Sequence, residues 1–119
     1  MAGNGNTGIM RLLKATWFSW QGFCAAYRHE AAFRQEVWGL VMGTPLALWL
    51  GENGIEKALM IGSILLLMII ELLNSAVEAT VDRIGKDHHI LSGRAKDMGS
   101  AAVLAGIVNV IMVWFLMLV

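Results

Sequence analysis

The chain has 119 residues, of which 57% are hydrophobic and only 15% are charged. A soluble domain has about 45–50% apolar and about 25% charged residues, so this composition excludes an ordinary soluble fold and indicates a single-domain integral membrane protein. The net formal charge is zero, which predicts no nucleic-acid partner, and Cys24 is the one cysteine, which excludes an intrachain disulfide bond.

The first predicted element is an amphipathic helix over residues 9–28, after a Gly- and Asn-rich tail (1–8) that we expect to be disordered. Apolar residues recur at helical spacing, and Thr7 has the chemistry of an N-cap residue. Charged residues interrupt the segment, so we do not expect it to cross a bilayer. With Trp17 and Trp20 among its apolar residues, it is predicted to lie on the membrane surface.

A second helix is predicted over residues 31–50 and is the first of three expected transmembrane spans. Its uncharged core, residues 37–50, extends about 21 Å at the helical rise. That length is short for a hydrocarbon core of about 30 Å. Arg34 and Glu36 are therefore expected near the interface, or the bilayer must thin locally.

Two longer apolar segments are predicted to form the other spans. One helix is expected over residues 55–84, with Gly85 as its stop signal. Residues 86–96 are predicted to form a polar loop, and residues 98–119, which carry no charge, form the third span. Small residues give this last helix a face for close packing: Gly99, Ala101, Ala102, Ala105 and Gly106.

The basic residues predict the orientation of the chain. Of the nine Lys and Arg residues, only Lys57 lies in the connection between the first two spans. The others precede the first span or lie between the second and third. The N-terminus and the second connection are therefore predicted in the cytoplasm, with the C-terminus on the far side of the membrane.

A polar stripe runs along the second span. Glu71, Asn74, Ser75, Glu78 and Asp82 all fall within about 60° of Glu71 on a helical wheel, while the residues between them are mostly apolar. The stripe is predicted to run from the cytoplasmic boundary into the membrane. Because an acidic residue at the bilayer centre costs about 2.5–3.5 kcal/mol on insertion scales, the stripe requires an explanation.

Three functions are compatible with the stripe. Carboxylate and amide oxygens beside an aqueous face suit Mg²⁺, and a partly desolvated carboxylate can accept a proton from a hydroxyl. These properties suit phosphoryl transfer to a membrane-bound alcohol, although the chain has neither a P-loop nor a kinase glycine-rich loop. The alternatives are a proton-coupled transporter using Glu71 and an assembly subunit in which the stripe joins helices.

Three motifs carry a family resemblance. "EAAFRQE" (30–36), "ELLNSAVEATVDRIG" (71–85) and "LSGRAKDMGSAAV" (91–103) closely resemble the small bacterial diacylglycerol kinases, which are integral membrane enzymes of the inner membrane. The resemblance implies transfer of the γ-phosphate of ATP to the hydroxyl of diacylglycerol, with Mg²⁺ as cofactor and phosphatidic acid as product. It also implies a homotrimer with composite sites between subunits.

The matched motifs imply roles for individual residues. Glu71 is the implied general base for the lipid hydroxyl, and Asn74 orients the reacting groups. Glu78 and Glu30 are the implied ligands of the metal that carries ATP. The implied ATP-binding residues are Arg11, Phe18, Glu30, Glu78, Asp87, His88, His89, Lys96 and Asp97. The implied lipid-binding residues are Arg11, Ala15, Ser19, Trp20, Phe33, Glu36, Glu71 and Ser100.

Two positions depart from the family pattern. Phe18 stands where the family often carries a tyrosine, and Ile90 stands where it can carry an acid. A sister branch of the family phosphorylates undecaprenol, and physical features of the sequence do not separate the two lipids. The close match in "EAAFRQE" and "SGRAKDMGSAAV" favours diacylglycerol.

Overall fold

The computed structural model describes residues 7–85 and 89–119 of the chain. Four α-helices account for nearly all of them: α1 (Gly8–His29), α2 (Ala31–Leu50), α3 (Gly54–Ile84) and α4 (Ile90–Leu118). The predicted all-α class is confirmed, and the described ranges contain no strand.

The predicted polar loop over residues 86–96 is wrong from Ile90 onward, because α4 begins there. Residues 86–88 of that loop lie outside the described residues, and the start of the third span at residue 98 stays a prediction. The polar residues of this region therefore extend the helix beyond its apolar part. The prediction used loss of apolarity as the helix boundary, but a solvated helical turn needs no apolar face when a cap and the following turns support it.

Side-chain caps define where three of the helices begin. Thr7 accepts a hydrogen bond from the Met10 amide (3.3 Å) at the start of α1, as its chemistry predicted. Asn53 accepts one from the Glu56 amide (2.9 Å) at the start of α3. His89 Nδ1 accepts one from the Leu91 amide (3.0 Å) at the start of α4.

The junction of α1 and α2 is a single extended residue held by an arginine. Glu30 (φ −118°, ψ 109°) separates the two helices. Arg34, one turn into α2, donates through Nη1 to the carbonyl oxygens of Tyr27 (2.8 Å) and Arg28 (3.1 Å). These carbonyls belong to the last turn of α1, where backbone acceptors lack helical partners, so Arg34 ties the end of α1 to α2.

α3 is the central helix, and α4 and α2 pack along it. Its buried face consists of Met60, Ser63, Ile64, Leu67, Met68 and Glu71. Glycines permit the close approach of its neighbours: a Cβ on Gly106 would lie 2.9 Å from Leu67 Cδ1, and one on Gly43 would lie 2.6 Å from Ile64 Cδ1. At the opposite end from the acidic residues, Trp114 Nε1 donates to the Met60 carbonyl oxygen (3.1 Å).

Two of the helices in the described part of the chain are long and apolar enough to cross a membrane. The most apolar windows of α3 and α4 have mean hydropathies of 2.1 and 2.5, with 22% and 6% of the residues buried inside the chain. A core helix of a soluble protein would be mostly buried, so these exposed apolar surfaces favour lipid or another subunit as their surroundings. α2, the other predicted span, does not meet the same criterion.

Candidate active site

The polar stripe on α3 follows a gradient of burial. Glu71 is only 6% exposed, Asn74 and Glu78 are half-buried, and Asp82 is exposed. The stripe therefore leads from an open end near the start of α4 to a carboxylate enclosed between helices. This arrangement provides one continuous row of oxygen atoms with a single exposed end.

Asn74 connects two parts of the stripe. Its Nδ2 donates a hydrogen bond to Glu78 Oε1 (3.1 Å), one turn further along α3. Its carbonyl oxygen Oδ1 faces α4, where a Cβ placed on Gly99 would overlap it. The amide is therefore enclosed between a carboxylate on its own helix and the backbone of the neighbouring helix.

Three buried oxygen atoms at this site have no hydrogen-bond partner among the described residues: Glu36 Oε1, Glu71 Oε2 and Asn74 Oδ1. A buried acceptor without a donor costs about 1–3 kcal/mol. All three atoms belong to residues of α2 or α3, and all three only accept hydrogen bonds or coordinate cations. The site is therefore suited to a ligand that brings hydroxyl groups or a positive charge.

The carboxylates around Glu71 come from three parts of the chain. Glu30 is the residue between α1 and α2, Glu36 lies on α2, and Glu78 lies on α3. The negative charges of Glu78 and Glu30 both act on Glu71, and the charge of Glu71 acts on Glu36. The implied base therefore lies within electrostatic range of both implied metal ligands.

The donor set fits a metal ion that carries a polyphosphate. Within the described ranges, no three His, Cys, Asp or Glu side chains converge closely enough to hold a metal ion alone. Mg²⁺ usually keeps several waters and binds through one or two carboxylates together with substrate phosphates. Glu30 and Glu78 would hold it in that way.

A lysine stands beside the open end of the stripe. Lys96 Nζ lies 2.7 Å from Asp82 Oδ1, and both side chains are about half exposed. Lys96 was predicted to bind phosphate, but the sequence did not predict this ion pair. The ion pair could be found only from the three-dimensional structure, because Asp82 and Lys96 lie on different helices.

The other implied nucleotide residues cluster less tightly. His89 and Asp97 share an open groove of about 480 Å³ with Ile90, Gly93 and Arg94. Arg94 also lines this groove. Its charge suits a phosphate, although the family resemblance did not imply it as an ATP-binding residue. Asp87 and His88 lie outside the described residues.

A second groove separates α1 from α2 and α3. It has a volume of about 740 Å³ and brings together Trp20 and Phe33, two of the implied lipid-binding residues. Phe33 is only 2% exposed and packs with Ala26 and Met68, so it presents little surface to a ligand. The remaining lining residues are Phe23, Cys24, Tyr27, Arg28, Arg34, Val37 and Met68.

The length of α1 separates its first half from Glu30. Arg11 lies about 28 Å from Glu30 at the helical rise, because α1 continues without a break between them. Phe18 and Ser19 are exposed, and Ala15 is half-buried. Ser100, the last implied lipid-binding residue, is exposed on α4.

Comparison with known proteins gives consistent matches. The family model described as "Prokaryotic diacylglycerol kinase" matches residues 17–118. The chain is 50% identical over 115 residues to the diacylglycerol kinase of Escherichia coli strain K12, covering 97% of this chain and 94% of that protein. It is 51% identical over 108 residues to that of Haemophilus influenzae, covering 91% and 92%. It is 38% identical over 107 residues to that of Helicobacter pylori strain 26695, covering 90% and 84%. These matches confirm the resemblance carried by the three motifs, and the chain belongs to the prokaryotic diacylglycerol kinase family.

Proposed function

We propose that this chain is an ATP-dependent lipid kinase that transfers the γ-phosphate of Mg-ATP to the hydroxyl of diacylglycerol, giving phosphatidic acid and ADP. The observation that carries the proposal is the enclosed carboxylate of Glu71, with Oε2 unpartnered, at the inner end of a stripe whose open end adjoins Lys96. The curated relatives named diacylglycerol kinase support the choice of lipid.

Glu71 is the proposed general base. Its unpartnered Oε2 accepts the proton of the lipid hydroxyl, whose oxygen forms a bond to the γ-phosphorus as the bond to the ADP oxygen breaks. Transfer is direct and in line. No covalent enzyme intermediate is required, because phosphoryl transfer depends on positioning and charge stabilisation.

Glu78 and Glu30 are the proposed metal ligands, and Asn74 orients the Glu78 carboxylate through its hydrogen bond. Bound Mg²⁺ supplies charge neutralisation at the phosphates. The proposed ATP contacts are Lys96, Asp97, His89, Asp87 and His88, together with Arg11 and Phe18. Of these, Lys96 gives a cation beside the open end of the stripe.

The lipid is proposed to approach along α1 and α2. Trp20 and Phe33 line the larger groove, and Glu36 has an unpartnered buried Oε1 facing the site. Arg11, Ala15, Ser19 and Ser100 complete the proposed lipid contacts. The ester-bearing headgroup would lie near Glu71, and the acyl chains would lie in the membrane.

We further propose three spans in the bacterial inner membrane, with a cytoplasmic N-terminus, a C-terminus on the far side, and a homotrimeric assembly. Many large apolar side chains of α3 and α4 are exposed in the single chain, which supports lipid and subunit contacts. The separation of about 28 Å between Arg11 and Glu30 along α1 supports a site shared between subunits.

The decisive test is ATP turnover by the purified chain in mixed micelles with Mg²⁺, comparing diacylglycerol, undecaprenol and no lipid. Diacylglycerol-dependent ADP release with matching phosphatidic acid is the expected result. Turnover with undecaprenol alone would show that the chain phosphorylates the polyprenyl alcohol, as the sister branch of the family does. No turnover with either lipid, together with pH-driven flux into liposomes, would replace the kinase with a proton-coupled transporter.

A further inference from the structure

Gly99 allows α4 to approach α3 at Asn74. An added Cβ would overlap Asn74 Oδ1, and it would lie 3.2 Å from Cγ and 3.9 Å from Cβ of the same side chain. The three heavy atoms nearest to that Cβ all belong to Asn74. Gly62 lies on α3, and an added Cβ there would meet nothing within 4 Å.

The helix register leaves α4 little freedom to move away. Gly106 lies seven residues after Gly99 and packs on Leu67, which lies seven residues before Asn74. Seven residues are close to two helical turns, so both glycines face α3 on the same side of α4. An obstruction at Gly99 is therefore expected to displace the Asn74 side chain before it displaces the helix.

The orientation of the Asn74 amide is set by charge. Its NH₂ group donates to Glu78 Oε1 (3.1 Å), and the reverse orientation would direct a carbonyl oxygen at a carboxylate oxygen. The carbonyl must therefore face α4. Only a residue without a side chain at position 99 leaves room for it.

We propose that Gly99 is a positioning residue for the phosphoryl-transfer site. Because it has no side chain, it leaves room for the Asn74 carbonyl oxygen, and the Asn74 amide can then donate to Glu78. The chain of contacts runs from the α4 backbone at Gly99, through Asn74, to Glu78. This inference rests on the proposed function only for the role of Glu78 as a metal ligand. The contact between Gly99 and Asn74 stands independently of it.

Gly99→Ala tests the proposal, with Gly62→Ala on α3 as the control. We expect Gly99→Ala to raise the Mg²⁺ concentration for half-maximal turnover by about tenfold, since a hydrogen bond to a charged group is lost. We expect Gly62→Ala to leave the Mg²⁺ dependence unchanged. A Gly99→Ala chain that folds and keeps the native Mg²⁺ dependence overturns the proposal.

A double-mutant cycle separates positioning from general packing. Asn74→Ala removes the oxygen and Cγ that crowd position 99 and leaves only the ordinary 3.9 Å contact. Thermal unfolding in one detergent should therefore show a loss of stability for Gly99→Ala in the native background and none in the Asn74→Ala background. Gly62→Ala should have the same effect in both backgrounds.

The double-mutant cycle also gives a decision when Gly99→Ala does not fold or when the proposed function is wrong. If Gly99→Ala alone does not fold but the double variant does, the coupling is supported. Equal losses in both backgrounds, or a double variant that also fails to fold, overturn it. A native chain that turns over neither lipid refutes the proposed function, and the unfolding cycle then decides the Gly99–Asn74 contact alone.

Discussion

At the scale of single residues, the site combines two different kinds of carboxylate. Glu71 is enclosed between helices with one oxygen unpartnered, whereas Glu78 is half-buried and hydrogen-bonded by Asn74. An enclosed carboxylate with a free oxygen suits proton transfer, and a more exposed, oriented carboxylate suits a hydrated cation. Neutralising Glu71 and neutralising Glu78 are therefore expected to change different kinetic properties.

Glu71→Gln is predicted to lower kcat by about 10²–10⁴-fold, the usual contribution of general base catalysis, with little change in the KM for Mg-ATP. The amide keeps the size of the side chain but cannot accept the proton. Steady-state kinetics with diacylglycerol in mixed micelles measures both constants. Glu52→Gln, in the connection between α2 and α3, is the matched control and should behave like the native chain.

Neutralising Glu78 should give another pattern. Glu78→Gln is expected to increase the Mg²⁺ requirement as well as lower turnover, because it removes a negative ligand. If both substitutions lower kcat alone, the division into a base and a metal ligand is wrong.

Lys96 is predicted to act on ATP rather than on stability. Its ion pair with Asp82 joins two exposed side chains, and exposed pairs contribute little to folding. Lys96→Met should therefore raise the KM for ATP, with a weaker salt dependence than in the native chain, and leave the unfolding temperature almost unchanged.

Asp82→Asn provides the comparison, since it releases Lys96 while keeping the cation. The KM for ATP should then remain near the native value or fall. A large loss of thermal stability in either variant would contradict this assignment and make the pair a structural contact between α3 and α4.

At the scale of secondary-structure elements, the end of α1 is held by α2. Arg34 donates to two carbonyl oxygens of the last turn of α1, and Trp38 Nε1 donates to Tyr27 Oη (3.2 Å). Glu30 lies between these contacts. The placement of a proposed metal ligand therefore depends on how firmly the two helices are joined.

Arg34→Ala is predicted to loosen the last turn of α1 and expose it to exchange. Hydrogen–deuterium exchange of a peptide covering residues 24–30 should become faster, while peptides from α3 and α4 remain protected. Gln35→Ala, the exposed neighbour on α2, is the control. Unchanged exchange in Arg34→Ala would mean that packing against Phe33, rather than the arginine, holds the junction.

At the scale of the whole molecule, the length of α1 keeps two implied site residues, Arg11 and Glu30, well apart. The acidic stripe and Lys96 are neighbours through α3 and α4, but Arg11 lies about 28 Å along α1 from the junction at Glu30. The proposed homotrimer would allow Arg11 and the stripe of one site to come from different chains. This geometry makes the shared site testable.

Subunit mixing should restore activity if Arg11 and Glu71 come from different chains. Arg11→Ala and Glu71→Gln are each expected to inactivate a homotrimer. Co-refolded trimers of the two variants would contain some sites with both native residues and should recover part of the turnover. Trimers that mix two differently tagged copies of Glu71→Gln are the control. No recovery in verified mixed trimers would contradict the shared site.

The sequence by itself determined the helices, apart from the start of α4, and the helix face that carries the stripe. Helical periodicity and composition predicted an all-α protein, because a long helix satisfies its own backbone hydrogen bonds within an apolar segment. The spacing of Glu71, Asn74 and Glu78 put them on one face, since helical geometry depends only on local residues. The three motifs indicated the family, which the comparisons confirmed.

Contacts between helices were decided only by the tertiary structure. Three contacts depend on the register of one helix against another. They are the ion pair of Lys96 with Asp82, the hydrogen bonds of Arg34 to the α1 carbonyls, and the close contact of Asn74 with Gly99. Small residues on α4 predicted close packing but not which side chain of α3 would meet them. Local sequence sets the face of a helix, whereas its partner atoms follow from how all the faces pack together.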